Sequence, residues 1–260
     1  MSISIILPTF NEEENLKFLI PELVGELANI NLIDYEIIVV DDNSTDKTID
    51  LVKKFEAKNK KIKLCLRSSK ASLPLSIYEG IQNSSKKNIM WLDADGSMDA
   101  ATAIKLIEVM QTNNSSVVIG SRFVKGGGYK GQEEHNENNR SVFKNLNNSE
   151  DSILAVFLSV QFNKILKFLL KSKIKDMTSG FIVGPREYFF KEMFENAVYG
   201  EYFINVIMGL QNKDIDLIEI GYYCKPRMYG ISKTSGSIIK LLSLSLPYIS
   251  TAIKSRWKIR

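Results

Sequence analysis

Short apolar runs, several rich in β-branched residues, alternate along this chain with longer segments whose apolar residues recur at helical spacing. Parallel strands need a crossover connection, usually a helix, so this alternation predicts an α/β fold with a mostly parallel sheet and helices on both faces. The predicted strands are 3–7, 35–40, 62–66, 89–92, 117–120 and 215–223. One predicted helix begins after Asn11, which could cap it, and further helices cover 48–58, 77–84, 100–110, 152–170 and 237–258.

The length of 260 residues allows one large α/β domain with an appendage. We assign residues 1–236 to the domain and 237–260 to an apolar and basic helical segment with amphipathic character. Residues 125–151 are rich in Gly, Asn, Glu and Lys, and predict a long mobile loop. The formal net charge of +4 is too small to indicate a nucleic-acid partner.

Three features of the sequence predict the localisation of the protein. We find no secretory signal and no apolar run of about 18 residues, the length that a spanning helix needs. This predicts a cytoplasmic protein at the cytoplasmic face of a membrane. Helices 152–170 and 237–258 could lie on the bilayer, because the chain ends in a cluster of cations. The alternative is that both helices only cover the sheet.

Polar clusters follow four of the predicted strands, and ligands of open α/β sheets bind beyond the carboxyl ends of the strands. Asp93 and Asp95 follow the strand at 89–92 and are the sharpest feature. Mg²⁺ and Mn²⁺ prefer oxygen ligands, and Mg²⁺ is often held by one or two carboxylates plus substrate phosphates. A solvated acidic turn is the alternative for this spacing. Arg122, Arg227 and Lys233 are cations of the kind that bind phosphates.

Taken in order, these motifs resemble the family-2 glycosyltransferases of the GT-A fold, and most closely the branch of polyprenol- or dolichol-phosphate mannose synthases. The resemblance extends over about residues 1–236. It is carried by residues 8–12, 40–46, 93–95, 120–122, 176–181 and 227–233.

The resemblance implies a role for each motif. The nucleotide-sugar would be bound by Pro8, Phe10, Glu12, Asp41, Asp42, Asp93, Ala94, Asp95, Arg227 and Lys233. Asp93 and Asp95 would hold Mg²⁺ or Mn²⁺, with Ser97 in the place of a third ligand. The acceptor would be bound by Arg122, Arg140, Ser159, Ser179 and Ser232. Asp95, Arg122 and Asp176 would act in catalysis.

The resemblance also implies a reaction, the inverting transfer of a sugar from a UDP- or GDP-sugar. A polyprenyl phosphate acceptor needs no general base, since it is already an anion. A sugar-hydroxyl acceptor in surface polysaccharide synthesis needs one, and Asp176 is the nearest candidate. The chain departs from the family at Ser72–Pro74 and at Ala155, where an Arg is usual. These departures leave open a third possibility, a module that binds nucleotide-sugar without turnover.

Overall fold

The computed structural model of the chain describes residues 1–113, 116–128, 153–225, 227, 229 and 238–258. The strands are β1 (Ile3–Thr9), β2 (Tyr35–Asp41), β3 (Ile62–Leu66), β4 (Asn88–Trp91), β5 (Val117–Ser121), β6 (Ile182–Pro185) and β7 (Leu217–Gly221). The helices are α1 (Glu13–Asn29), α2 (Thr48–Lys58), α3 (Leu73–Asn83), α4 (Ala100–Thr112), α5 (Ile153–Leu170), α6 (Tyr202–Gln211) and α7 (Ile238–Lys258).

The seven strands form one sheet in the order β3-β2-β1-β4-β6-β5-β7. β6 pairs antiparallel with both β4 and β5, and every other pairing is parallel. Six strands therefore point their carboxyl ends to the same edge of the sheet. The predicted α/β fold with a mostly parallel sheet is confirmed.

Helices cover both faces of this sheet, as the alternating pattern predicts. Apolar side chains of α1, α2 and α4 form one core with the sheet, and those of α3, α5, α6 and α7 form the other. Every residue of β1 and β2 is buried, because these two strands have neighbours on both sides and helices above and below. The C-terminal helix α7 packs against α5 and α6 and buries Ala252.

Three local features differ from the sequence prediction. β6 and α6 were not predicted, and Asn11 does not cap α1. Asn11 instead has a left-handed backbone (φ 57°), and its side-chain oxygen accepts the backbone N–H of Thr45 at 2.7 Å. It therefore ties the end of β1 to the loop after β2. Of the predicted mobile loop, residues 129–151 lie outside the described residues.

Glu36, a buried carboxylate near the amino end of β2, links β1, β3 and the loop before β4. Ser4 and the backbone N–H of Ser85 each donate to Glu36 Oε1 at 2.6 Å, and Lys63 Nζ lies 2.5 Å from Oε2. Burial alone would raise the pKa of Glu36, but these bonds outweigh it and lower the pKa to about 2. Ionised Glu36 therefore stabilises the fold above its unfolded pKa of 4.5, and this contribution is lost as the pH falls towards 2.

We expect Glu36→Gln to lower the free energy of unfolding at pH 7 by about 2 kcal/mol, because a charged hydrogen-bonded group is lost from a buried site. The difference from the parent protein should shrink between pH 4.5 and pH 2. Urea unfolding across this range measures it. Glu22→Gln, on the exposed side of α1, is the control. A deficit that does not change with pH would contradict the assignment.

Candidate active site

The predicted polar clusters converge on one edge of the sheet. β1, β2, β4 and β5 end there, at or within two residues of Phe10, Asp41, Asp93 and Arg122. The turn at 176–180 reaches the same edge for a different reason. It precedes β6, and because β6 runs antiparallel, its amino end lies beside the carboxyl ends of β4 and β5.

The turn after β4 presents two carboxylates. Gly96 has a positive φ of 77°, which lets the chain reverse directly after Asp95. Asp95 is only 4% exposed; its Oδ1 accepts the backbone N–H of Ser97 at 2.9 Å. Ala94 between them packs into the core. Burial and the negative charge of Asp95 raise the pKa of Asp93 to about 7.

A cation already lies against this turn. Arg227 Nε lies 2.8 Å from Asp95 Oδ2, and an Arg227 guanidinium nitrogen lies 4.0 Å from Glu12 Oε1. Burial and the nearby charge of Asp95 raise the pKa of Glu12, although Asn15 donates to it at 2.5 Å. The turn and Glu12 thus form a local excess of negative charge.

This donor set fits a hard divalent cation. The two carboxylates on this turn offer oxygen atoms, the donors that Mg²⁺ and Mn²⁺ prefer, and the guanidinium of Arg227 pairs with one of them. Within the described residues, no group of three or more His, Cys, Asp or Glu side chains could hold an ion by itself. The remaining ligands would therefore have to come from water, from Ser97 or from substrate phosphates.

The acidic pair at the end of β2, Asp41 and Asp42, contacts other residues of the chain. Asp41 is fully buried and accepts both the backbone N–H and the hydroxyl of Ser44, at 2.8 and 2.5 Å. Asp42 accepts the Ser76 hydroxyl at 2.7 Å and the backbone N–H of Ser72 at 2.8 Å, and forms an ion pair with Arg67. Both carboxylates therefore fix the loops that follow β2 and β3.

Pro8 and Phe10 lie on the same edge as these loops. Pro8 is buried within β1, whereas Phe10 exposes 44% of its surface. An exposed aromatic ring at the end of a central strand can pack against a planar base. Phe10 is thus an exposed apolar side chain at the edge of the sheet where the acidic turn lies.

Arg67 is a site residue that the sequence prediction missed. It follows β3 directly and is almost completely buried. Besides Asp42, its guanidinium donates to Glu79 at 3.0 Å, and to Ser69 at 2.8 Å. The available signal was a cation at a strand end, the same signal that marked Arg122.

Arg122 and Asp176 form a two-pronged ion pair. Arg122 Nε and a terminal nitrogen each lie 2.8 Å from a different oxygen of Asp176, and the backbone N–H of Arg122 donates to the same carboxylate at 2.9 Å. Asp176 is fully buried. The planar guanidinium also donates to the Thr178 hydroxyl at 2.8 Å.

Asn163 on α5, also missed from the sequence, locks this turn in place. Its side chain accepts the backbone N–H of Met177 at 2.9 Å, and donates to Thr178 Oγ1 and to the Ser159 carbonyl, both at 3.1 Å. Ser179 donates its hydroxyl to the Gly120 carbonyl. The predicted acceptor residue Ser159 is thus linked to Arg122 through Asn163 and Thr178, and Ser179 bonds to Gly120, two residues before Arg122. Arg140, Ser232 and Lys233 lie outside the described residues.

Two tyrosines, Tyr199 just before α6 and Tyr202 at its start, lie near the end of β4. Tyr202 accepts the Trp91 ring N–H at 3.0 Å, which joins α6 to the end of β4. Burial and the negative charge of Asp93 raise the pKa of the Tyr199 phenol, so it stays a neutral group near that carboxylate. Glu201 accepts the backbone N–H groups of Val198 and Tyr199, and so holds this loop.

A family model supplies the decisive comparison. The model described as "Glycosyl transferase family 2" matches residues 4–191, which include the acidic turn, Arg122 and Asp176. The chain belongs to glycosyl transferase family 2. The predicted family is therefore confirmed. The predicted resemblance to the dolichol-phosphate mannose synthases is confirmed by the identity to a dolichol-phosphate mannosyltransferase given next.

Two relatives in this family match different lengths of the chain. A dolichol-phosphate mannosyltransferase of Pyrococcus furiosus is 36% identical over 127 residues, or 49% of this chain and 35% of its own length. The poly(ribitol-phosphate) beta-N-acetylglucosaminyltransferase TarP of Staphylococcus aureus is 28% identical over 182 residues, or 68% of this chain and 52% of its own length. The chain thus spans about a third to a half of these relatives.

Solved structures share the fold of this family over nearly the whole chain. Glucosyl-3-phosphoglycerate synthase of Mycobacterium tuberculosis, in complex with Mn²⁺, UDP and phosphoglyceric acid, has a TM-score of 0.61 at 14% identity. The match covers 98% of this chain and 78% of that one. The GT-A fold is therefore confirmed. None of the described helices combines the length and apolarity needed to cross a membrane.

Proposed function

We propose that this protein transfers a sugar from a UDP- or GDP-sugar to a polyprenyl-phosphate-type lipid carrier, in a metal-dependent and inverting reaction. The observation that carries the proposal is that an acidic turn and an arginine lie together at the carboxyl ends of the parallel strands. Asp93 and Asp95 follow β4, and the guanidinium of Arg122, which Asp176 fixes, follows β5 at the same edge of the sheet.

The donor would bind at the acidic side. Asp93 and Asp95 are the residues that would hold Mg²⁺ or Mn²⁺, and a bound ion neutralises the negative charge that develops on a leaving diphosphate. Arg227, and Lys233 by its place in the motif, would donate to the same diphosphate. Phe10 and Glu12 would contact the nucleoside, in a pocket whose loops Asp41 and Asp42 hold. The Mn²⁺ and UDP bound by the mycobacterial enzyme support this assignment.

The acceptor would bind at Arg122. A phosphate oxygen is already nucleophilic at neutral pH, so it needs cations to position it and no base to remove a proton. Asp176 holds Arg122 with both carboxylate oxygens, and we therefore assign it to positioning Arg122. Arg140 could add a second cation. The dolichol-phosphate substrate named for the Pyrococcus relative supports this acceptor class.

The second candidate is transfer to a sugar or polyol hydroxyl in surface polysaccharide, because TarP matches a longer part of this chain. It requires a free base, for which Asp176 is poorly suited while it is paired with Arg122.

A thermal-shift panel of UDP-, GDP- and dTDP-sugars with and without Mn²⁺ would first identify the donor. Product formation on polyprenyl phosphate, but not on poly(ribitol phosphate), then supports the proposal, and the reverse favours the hydroxyl acceptor. Binding without turnover on either would favour a binding module.

The lipid acceptor motivates a proposed contact with the membrane through α5 and α7. Ile165 and Phe168 on α5, and Leu246 and Ile253 on α7, are exposed apolar side chains on two helices that pack together. Residues 152–175 and 220–260 contain no Asp or Glu but many Lys and Arg. An apolar surface flanked by cations suits an anionic bilayer. We therefore expect the protein to act at the cytoplasmic face of the membrane.

We expect Phe168→Asp to weaken binding to vesicles that contain anionic lipid by about tenfold, because it places a negative charge in the apolar surface. Phe168 is 81% exposed, so the fold should tolerate the change. Flotation of the full chain measures the binding. Ile33→Asp is the matched control, since Ile33 is 76% exposed at the opposite edge of the sheet. Equal binding by the parent protein and Phe168→Asp would rule out this surface.

A further inference from the structure

Arg227 uses one of the carboxylate oxygens that a metal ion would need. Its Nε lies 2.8 Å from Asp95 Oδ2, while Asp95 Oδ1 already accepts the backbone N–H of Ser97. Both oxygens of Asp95 are therefore in use. A divalent ion that binds Oδ2 must share it with the guanidinium or displace it.

Sharing is unfavourable because it places two cationic groups within a few ångströms of each other, in a partly buried site where charges are weakly screened. The guanidinium is also a strong competitor, since its bond to the carboxylate is charge-assisted. A diphosphate changes this balance. Its oxygens can ligate the ion, and they also offer Arg227 a new anionic partner in place of Asp95.

The backbone on both sides of Arg227 is anchored. The backbone N–H of Lys225 donates to the Ser97 carbonyl at 2.9 Å, next to the acidic turn. On the other side, Tyr229 exchanges backbone bonds with the Asn15 side chain at 3.1 and 3.3 Å, and its ring stacks on Phe18. A change of partner therefore requires only rotation of the Arg227 side chain, which is 24% exposed.

We propose that Arg227 competes with the divalent cation for Asp95, so that the ion binds together with the nucleotide diphosphate and only weakly ahead of it. This inference rests on the proposed function, because it takes Asp95 as a metal ligand and Arg227 as a diphosphate ligand. It adds an order to the two binding events. By linkage, the nucleotide must strengthen metal binding by the same factor as the metal strengthens nucleotide binding.

The test is Mn²⁺ binding, followed by the electron paramagnetic resonance signal of free Mn²⁺, with and without UDP or GDP. We expect the parent protein to bind Mn²⁺ weakly alone and about tenfold or more tightly with the matching nucleotide. Arg227→Met should bind Mn²⁺ alone about tenfold more tightly than the parent protein, and should gain less from the nucleotide. Lys225→Met, which removes a neighbouring cation paired with Asp99, is the control and should match the parent protein.

Arg227→Lys keeps a cation at the site. It distinguishes an effect of the lost charge on Mn²⁺ binding from an effect of altered local structure. It should bind Mn²⁺ alone within about threefold of the parent protein if charge is the cause. Unchanged or weaker Mn²⁺ binding by folded Arg227→Met would overturn the inference, as would no Mn²⁺ binding by any variant. If Mn²⁺ binding tightens in Arg227→Met but no nucleotide binds any form, the competition stands and the proposed function fails.

Discussion

Asp95→Asn is expected to abolish the Mn²⁺-dependent part of nucleotide binding and to lower the rate of sugar transfer by at least about 10²-fold. The amide keeps the size of the side chain, and its oxygen can still accept the Ser97 N–H. The substitution removes the negative charge that would hold the ion. Without the ion, the charge on the leaving diphosphate is not neutralised, and this neutralisation stabilises the transition state by several kcal/mol in metal-dependent enzymes. Thermal shift with and without Mn²⁺ measures the first effect, and a turnover assay with the identified donor measures the second.

Asp99→Asn is the matched control for this change. Asp99 lies four residues along the same loop and caps α4 by accepting the Thr102 N–H at 2.8 Å, a bond that Asn can also form. It should keep both the Mn²⁺-dependent shift and the activity. A full Mn²⁺-dependent shift in Asp95→Asn would reject Asp95 as a ligand and, with it, the proposed metal site.

The sequence predicted the parts of the fold whose burial is regular. β1 and β2 are buried on both faces, so they appear as continuous apolar runs that end at polar residues. β6 was missed because its last two residues are Gly184 and Pro185, which interrupt the apolar pattern of a strand. α6 is apolar on nearly every side because it is buried, and a helix without a polar face lacks the periodicity that identifies one.

For the active site, the sequence predicted which residues are candidates but not which ones pair. Asp93 and Asp95 are adjacent in the chain, so their joint use follows from one local turn. Arg122 and Asp176 are 54 residues apart and meet because β6 runs antiparallel between β4 and β5. The contacts of Arg67 with Asp42, and of Asn163 with the turn at 176–180, depend on the same three-dimensional packing. Only the fold could reveal them.

The Arg122–Asp176 pair carries the largest expected effect on stability. Arg122→Met should lower the free energy of unfolding by about 3–5 kcal/mol, because it leaves a fully buried carboxylate without its counter-ion. Asp176→Asn should cost less, since Arg122 is 15% exposed and can turn towards water. The double variant should recover part of the loss, with a coupling energy of at least about 2 kcal/mol in urea unfolding.

A surface pair provides the comparison for this cycle. Lys191 and Glu195 lie 3.5 Å apart on the protein surface, and Lys191→Met with Glu195→Gln should show a coupling energy below about 1 kcal/mol.

Enzyme kinetics of Asp176→Asn then separate the two candidate roles of Asp176. If it positions Arg122, the KM for the phosphate acceptor should rise while the pH dependence of kcat stays unchanged. Loss of the acidic limb from the pH profile of kcat would instead assign Asp176 as a general base, and would favour a hydroxyl acceptor.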